Sequence, residues 1–299
     1  MAGPRTSSPR SKSADAMRFT KLHGLGYDFL IASPGGETDI SAAGELARRI
    51  CDRRTGVGAD GLIFLTPEKD EPSRAGFRIF NADGSEAEIS GNGLRCAAAF
   101  LAWNGIITAP KVLFRTAAGE RPSEVLSSRG HLFEVRIGLG APRLASKDVP
   151  FDDGGIHDRI VDYPLSTYHR TFPVTCISMG NPHCSLFFDV LPSPGEWRGL
   201  GAELETHPFF PNRTNVEFVR VVGRDEIEVR FWERGVGETL ASGTGSAAAA
   251  VASVLKGLTD RAVTVRTAMG SLKVEWPEGG EVLQTGPAEV VFSGDYPAD

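Results

Sequence analysis

The sequence predicts a mixed α/β (α+β) protein of two pseudo-symmetric domains, each a sheet wrapped around one central helix. Three observations predict this fold. The 299 residues are about twice the length of an ordinary domain. Short apolar runs separated by glycines, which are typical of strands, fill most of the chain. A Ser-Gly-x-Gly motif, followed each time by an alanine-rich helical stretch, begins at Ser90 and again at Ser242.

The predicted elements follow one another in a similar order in both halves. Strand patterns cover residues 17–24, 28–33, 61–65, 76–81, 112–119 and 132–140, and then 171–180, 184–191, 215–222, 225–233, 262–270, 272–276 and 288–294. A helical pattern with its charges on one side covers residues 41–53. The helices that begin near Ser90 and Ser242 are apolar on all sides, so each must be buried inside its domain.

The composition is that of an acidic globular protein. Hydrophobic residues make up 41% and charged residues 23%, and 38 Asp and Glu outnumber 32 Lys and Arg. An acidic body without clusters of Lys or Arg argues against a nucleic-acid partner. The longest nearly apolar run, 247–255, is too short to span a membrane. The four cysteines form no CxxC pair, which predicts reduced thiols in the cytoplasm.

Residues 1–16 differ from the rest of the chain. They are polar, basic and rich in serine and proline, and they lack the apolar segment of a secretory signal. We therefore expect a disordered extension there, with the folded chain beginning at Met17.

The two Ser-Gly-x-Gly motifs belong to a longer internal repeat. Nine residues before each serine, a polar residue follows an aromatic one: Asn81 follows Phe80, and Glu233 follows Trp232. A repeat of about 150 residues is too long for a solenoid, so it indicates two homologous domains in one chain.

The start of each central helix is suited to binding an anion. The first N–H groups of a helix have no partner within it, and the helix dipole is positive there. A carboxylate could be held by two such helix starts facing one cleft. Ser90 and Ser242 would then flank its α-carbon from opposite sides, which suits removing a proton on one face and returning it on the other. The simpler alternative is that both serines serve only as helix caps.

Other motifs give weaker hypotheses. Residues 56–61 match GxGxxG and residues 243–248 match GxGxxA, but neither lies in a parallel βαβ unit, so a dinucleotide cofactor is not expected. The GxSxG elbow of serine hydrolases is absent at both serines. The sequence has no HxH, HExxH or Cys/His cluster, so no metal is expected. His183, in a Gly-Asn-Pro-His turn, is a candidate for the site.

Five segments together resemble the diaminopimelate epimerases. They are FTKLHGLGYDF, RIFNADGSEAEISGNGLRC, SMGNPHC, RTNVEFV and WERGVGETLASGTG, in the order that the family has. The resemblance implies two barrel-like domains, each a mostly antiparallel sheet around a central helix. It also implies cofactor-independent interconversion of LL- and meso-diaminopimelate, in lysine and peptidoglycan biosynthesis. We expect an N-terminal domain over 17–135, a C-terminal domain over 136–281, a last strand over 282–299 that joins the first domain, and a homodimer as an option.

The resemblance also implies roles for individual residues. The substrate-binding asparagines of the family match Asn81, Asn181 and Asn215. Its acidic and basic substrate contacts match Glu233 and Arg234. The helix-start segments that hold the α-carboxylate match Gly91-Asn92 and Gly243-Thr244.

Three positions depart from the family pattern. Ser90 and Ser242 stand where the family has its two acid/base cysteines, and Tyr27 stands where it has a substrate-contacting asparagine. A serine hydroxyl is far more basic than a thiol and needs a base of its own to abstract a proton. Three interpretations follow: an engineered, trapped epimerase; a relative that has drifted to another amino acid or become a catalytically silent binding protein; and a weak epimerase.

Overall fold

The computed structural model describes residues 16–32, 42–71, 73–168 and 170–297. The disordered extension predicted over residues 1–16 lies outside the described residues, except for Ala16, which begins the first strand. Within these ranges, no helix is long and apolar enough to cross a bilayer.

Seven strands of the first half and the last strand of the chain close into a barrel. The strands of this half are β1 (Ala16–Gly24), β2 (Tyr27–Ala32), β3 (Gly61–Pro67), β4 (Arg74–Asn81), the short β5 (Glu86–Ala87), β6 (Lys111–Thr116), β7 (Gly119–Arg129) and β8 (Leu132–Gly138). The last strand of the chain, β17 (Leu283–Pro297), pairs with both β8 and β1 and so completes the ring β1-β2-β3-β4-β6-β7-β8-β17. Only the pairs β2–β3 and β4–β6 are parallel, so the barrel is mostly antiparallel, as predicted.

The second half repeats this topology. Its strands are β9 (Ile160–Ser166), β10 (Thr171–Ser178), β11 (Pro182–Phe187), β12 (Asn215–Gly223), β13 (Glu226–Glu233), β14 (Gly237–Thr239), β15 (Ala262–Thr267) and β16 (Gly270–Glu275). The order β10-β11-β12-β13-β15-β16-β17 corresponds to β1-β2-β3-β4-β6-β7-β8, and the parallel pairs, β11–β12 and β13–β15, fall at corresponding places. The predicted pseudo-symmetry is confirmed.

Within the described ranges, each half has one helix in its core and one on its outer side. The core helices are α2 (Gly91–Trp103) and α4 (Gly243–Leu255), and the outer ones are α1 (Ala43–Cys51) and α3 (Pro194–Glu205). Successive strand residues point to opposite faces of a sheet, so Ile31 and Ile63 share a core with α2, while Leu30 and Leu62 pack with α1. Small alanines fill much of both core helices, and this lets a helix fit within a closed sheet.

The two core helices begin in nearly the same way. Ser90 caps α2 with φ −140° and ψ 123°, and Ser242 caps α4 with φ −139° and ψ 128°. Both helices are 13 residues long and almost entirely buried. The repeat in the sequence therefore corresponds to two equivalent helix starts in the fold.

The structure adds elements that the sequence patterns did not predict. Helix α3 is one of them, although Pro194 at its first position and Glu196, which accepts from the Ser193 backbone N–H at 2.9 Å, form a recognisable capping signal. Strands β5, β7, β9 and β14 were also missed. The predicted boundary between residues 135 and 136 falls within β8, and β17 also pairs with β16, so the division into domains stays a prediction.

Candidate active site

A cavity of about 440 Å³ lies between the two halves, at the starts of α2 and α4. Of the residues that the sequence assigns to the site, all but Asn215 and the candidate His183 line it: Tyr27, Asn81, Ser90, Gly91, Asn92, Asn181, Glu233, Arg234, Ser242, Gly243 and Thr244. The remaining lining comes from residues 86–89, Gly180 and Ala241, which the sequence analysis did not assign to the site. The fold thus brings together residues that are spread over most of the chain.

The two core helices meet at their first residues. A Cβ placed on Gly243 would lie 3.3 Å from the Cα atom of Gly91 and 3.6 Å from the backbone nitrogen of Asn92. A side chain at Gly243 would press on the backbone of α2, so glycine favours this close approach. We call the backbone N–H groups of Gly91, Asn92, Gly243 and Thr244 the carboxylate cradle, because two helix N-termini there face the same space.

Both serine hydroxyls cap their helices at the wall of the cavity. Ser90 Oγ accepts from the backbone N–H of Gly93 at 3.1 Å, and Ser242 Oγ accepts from that of Gly245 at 3.2 Å. Each hydroxyl proton remains available for a further bond. The cap therefore fixes the oxygen atoms without using the protons that acid/base chemistry would move.

Glu233 distinguishes one face of the site from the other. Its Oε2 accepts from Ser242 Oγ at 3.1 Å, and its Oε1 accepts from the Tyr27 hydroxyl at 2.9 Å. Burial, together with the Glu233 charge, raises the pKa of Tyr27, so the phenol stays a donor. The equivalent residue in the other half is Asn81, whose amide donates to Ser85 Oγ at 3.0 Å. In the parts of the chain that the structure describes, no carboxylate bonds to Ser90.

His183 lies behind the cavity wall. Its Nδ1 is 2.6 Å from Glu217 Oε1 and its Nε2 is 2.9 Å from Oδ1 of Asn181, which lines the cavity. Both His183 and Glu217 are buried, and Ser185 donates to the second Glu217 oxygen at 3.1 Å. Burial raises the pKa of the Glu217 carboxyl, although His183 acts to lower it. This buried group orients Asn181, and His183 does not itself line the cavity.

Asn215 also lies behind the wall. Its side-chain nitrogen donates to the Pro182 carbonyl at 2.8 Å, and its oxygen accepts from the Arg234 backbone N–H at 2.9 Å. The side chain is buried, and both its amide nitrogen and its amide oxygen are hydrogen-bonded to backbone groups. The structure thus gives Asn215 a bracing position next to Arg234, and direct contact with a substrate stays a prediction.

The sequence patterns also gave no role to a buried cation. Arg95 is fully buried within α2 and is bonded to Gln284 of β17. The available signal was the single charged residue within an otherwise apolar, alanine-rich helix.

Comparison with known proteins assigns the family. A family model described as diaminopimelate epimerase matches residues 19–145 and 175–291. The chain belongs to the diaminopimelate epimerase family, and so to a family of isomerases. The diaminopimelate epimerase of Pelotomaculum thermopropionicum is 46% identical over 285 residues, which cover 94% of this chain and 99% of that protein. The diaminopimelate epimerase of Desulforudis audaxviator is 47% identical over 281 residues, with the same coverage of each chain.

Solved structures share the fold of this diaminopimelate epimerase family member at low identity. A probable proline racemase from Agrobacterium radiobacter has a TM-score of 0.67 and 17% identity, covering 95% of this chain and 93% of its own. A hydroxyproline epimerase from Agrobacterium vitis has a TM-score of 0.68 and 18% identity, covering 97% and 94%. The predicted two-domain fold is confirmed.

Proposed function

We propose that the chain binds diaminopimelate and interconverts its LL and meso forms without a cofactor, at a rate limited by Ser90 and Ser242. The observation that carries the proposal is the single cavity in which both serines cap helices that meet at Gly91 and Gly243. This cavity offers one carboxylate two helix starts and offers its α-carbon one hydroxyl from each half. Relatives at over 40% identity along nearly the whole chain carry the name of this activity.

In this proposal the carboxylate cradle binds the substrate, and the two serines transfer the proton. Backbone N–H groups would hold the α-carboxylate and stabilise the negative charge that spreads onto it when the α-proton leaves. On the Ser242 face, the Ser242 oxygen would take the α-proton while its own proton passes to Glu233, the carboxylate to which it is bonded. On the other face, Ser90 would return a proton to the α-carbon and recover one from water. Both steps are slow because neither hydroxyl ionises readily.

The position of Tyr27 supports a second candidate function, a catalytically silent or drifted amino-acid-binding protein. Tyr27 and Ser242 each donate to one Glu233 oxygen, so the ammonium group of a substrate must compete with two hydroxyls for this carboxylate. Such competition weakens a ligand whose amino group depends on Glu233.

Deuterium exchange at the α-carbon separates the two candidates. In D₂O, we expect slow incorporation of deuterium into LL- and meso-diaminopimelate, because Glu233 supplies a base on the Ser242 face. The Ser242→Ala variant should lose this exchange and still bind the ligand. Mass spectrometry of the recovered amino acid gives the rate. Binding without exchange in the parent chain would instead establish the silent interpretation.

Polar residues at the rim of the cavity are expected to contribute to affinity. Arg234→Ala or Asn81→Ala should weaken diaminopimelate binding by about tenfold or more, because each leaves a polar ligand group unpaired at a cost of about 1–3 kcal/mol. Isothermal titration measures the change. Arg224→Ala is the matched control, since Arg224 is exposed and bonds to Asp260, outside the cavity lining. Unchanged affinity in both test variants would remove them from the site.

Cellular setting and assembly are part of the same proposal. A small-molecule amino acid as the partner, the cytoplasm as the compartment and a homodimer as the assembly fit the family. The four cysteines at 51, 96, 176 and 184 are free and buried, which is consistent with reduced thiols.

A further inference from the structure

Arg95 is a fully buried cation without a carboxylate partner among the residues that the structure describes. It lies in α2, one turn beyond the helix start. Burial lowers its pKa to about 10, so it remains charged at neutral pH. Taking a guanidinium out of water without an opposite charge is costly, so the chain should gain something from its position.

The guanidinium connects the starts of both core helices. One of its terminal nitrogens donates to Oε1 of Gln284 at 2.7 Å, and the other donates to Oδ1 of Asn92. The amide nitrogen of Gln284 in turn donates to the carbonyl of Gly243 at 2.8 Å. The Arg95 Nε also donates to the carbonyl of Pro287 at 3.3 Å. One cation thus bonds directly to the second residue of α2 and, through Gln284, to the first residue of α4.

This group lies directly behind the carboxylate cradle. Gln284 Oε1 is 3.3 Å from where a Cβ on Gly91 would lie and 3.5 Å from where one on Gly243 would lie. Both glycines and Asn92 line the cavity. The charge of Arg95 is therefore separated from the cradle by a single layer of side chains, in a region from which water is excluded.

We propose that Arg95 is a positioning residue that supplies the counter-charge of the carboxylate cradle. Its unpaired charge adds to the two helix dipoles, and its bonds to Asn92 and Gln284 hold the two helix starts in place. This rests on the proposed function only in that the ligand carries an α-carboxylate. A carboxylate bound in the cradle would be the negative charge that Arg95 lacks in the free protein. The two charges would attract each other across one layer of side chains of low dielectric constant.

Two substitutions separate the charge of Arg95 from its bulk. Arg95→Met removes the charge and keeps an unbranched side chain, whereas Arg95→Lys keeps the charge and loses the planar fork. We expect Arg95→Met to weaken meso-diaminopimelate binding by about tenfold or more and Arg95→Lys to weaken it much less. Thermal unfolding should show Arg95→Met to be no less stable than Arg95→Lys, because an apolar side chain avoids the cost of a buried charge.

A merely structural role predicts a different result, namely that affinity follows the unfolding temperature in both variants. That result, or equal losses of affinity in the two variants, would overturn the proposal. If neither Arg95 variant folds, Gln284→Glu and Gln284→Met provide the same comparison, since the new carboxylate neutralises Arg95 and the methionine does not. Gln284→Glu should then lose far more affinity than Gln284→Met, and equal losses would again contradict the proposal.

The titrations include L-lysine and glycine beside meso-diaminopimelate, so that failure of the two proposals can be told apart. If the parent chain binds one of these amino acids but not diaminopimelate, the proposed function is wrong, and the Arg95 comparison proceeds with the amino acid that binds. If the parent chain binds none of the three, the carboxylate cradle and the role of Arg95 are both overturned.

Discussion

The double variant Ser90→Cys/Ser242→Cys is expected to invert the α-centre of diaminopimelate orders of magnitude faster than the parent chain. Both oxygens are already fixed at helix N-termini that line one cavity, so only the acid/base atoms change. A thiol ionises much more readily than a serine hydroxyl, and a helix N-terminus favours the thiolate further. A well-placed general acid or base contributes about 10²–10⁴-fold to a rate. Inversion is measured by chiral chromatography and exchange by deuterium incorporation.

The two single variants should differ from each other. In Ser242→Cys the new sulfur faces the Glu233 carboxylate, whose charge raises the pKa of the thiol. In Ser90→Cys no carboxylate of the described residues bonds to that position, so the thiolate forms more easily. We therefore expect faster α-proton exchange in Ser90→Cys than in Ser242→Cys. Neither should invert the centre as fast as the double variant, because one face still lacks a good acid.

The double variant also tests the choice of substrate. If it unfolds at the same temperature as the parent chain and yet shows neither exchange nor inversion, Tyr27→Asn is added, because the Tyr27 hydroxyl competes with an ammonium group for the Glu233 carboxylate. Continued inactivity of the triple variant would mean that diaminopimelate is the wrong ligand. The drifted-substrate or binding-protein interpretation would then replace the proposed function.

Local patterns were sufficient to predict the fold because the apolar residues of each element indicate which of its sides are buried. The alternation in β2 and β3 separates residues facing α1 from residues facing α2, and the helices of the Ser-Gly-x-Gly repeat are too apolar to lie anywhere but inside. Helix α3 was missed because its sequence, PGEWRGLGAELE, has three glycines and few apolar residues. Its helical signal lies in its N-terminal cap alone.

The site was predictable where one short segment contains both a recognisable sequence motif and the residues that line the cavity. The Ser-Gly pairs at 90–91 and 242–243 each indicate a helix start in the sequence, and they also form part of the cavity wall. Contacts between distant segments left no such signal. Tyr27 and Glu233 are 206 residues apart, and Arg95 and Gln284 are 189 apart, so only the tertiary fold brings them together. Residue spacing in the sequence does not predict a hydrogen bond that forms only when the two halves pack together.

The largest expected loss of stability comes from the buried group behind Asn181. Glu217→Ala should lower the free energy of unfolding by about 2–6 kcal/mol, because it leaves two buried hydrogen-bond partners unpaired at about 1–3 kcal/mol each. His183 and Ser185 would each lose a hydrogen-bond partner in a region that is almost fully inaccessible to water. Urea unfolding followed by tryptophan fluorescence measures the change.

A surface ion pair provides the control for this prediction. Arg224 and Asp260 are 2.7 Å apart, close to the 2.6 Å between His183 and Glu217, but their side chains are 65% and 58% exposed, against 0% and 1% for the buried pair. Asp260→Ala should therefore cost only about 0–1 kcal/mol. Equal costs for the two variants would show that burial does not set the strength of the His183–Glu217 interaction. Glu217→Gln keeps the shape of the side chain and one acceptor oxygen for Ser185, and it replaces the other oxygen by an NH2 donor, so its cost should fall between the other two.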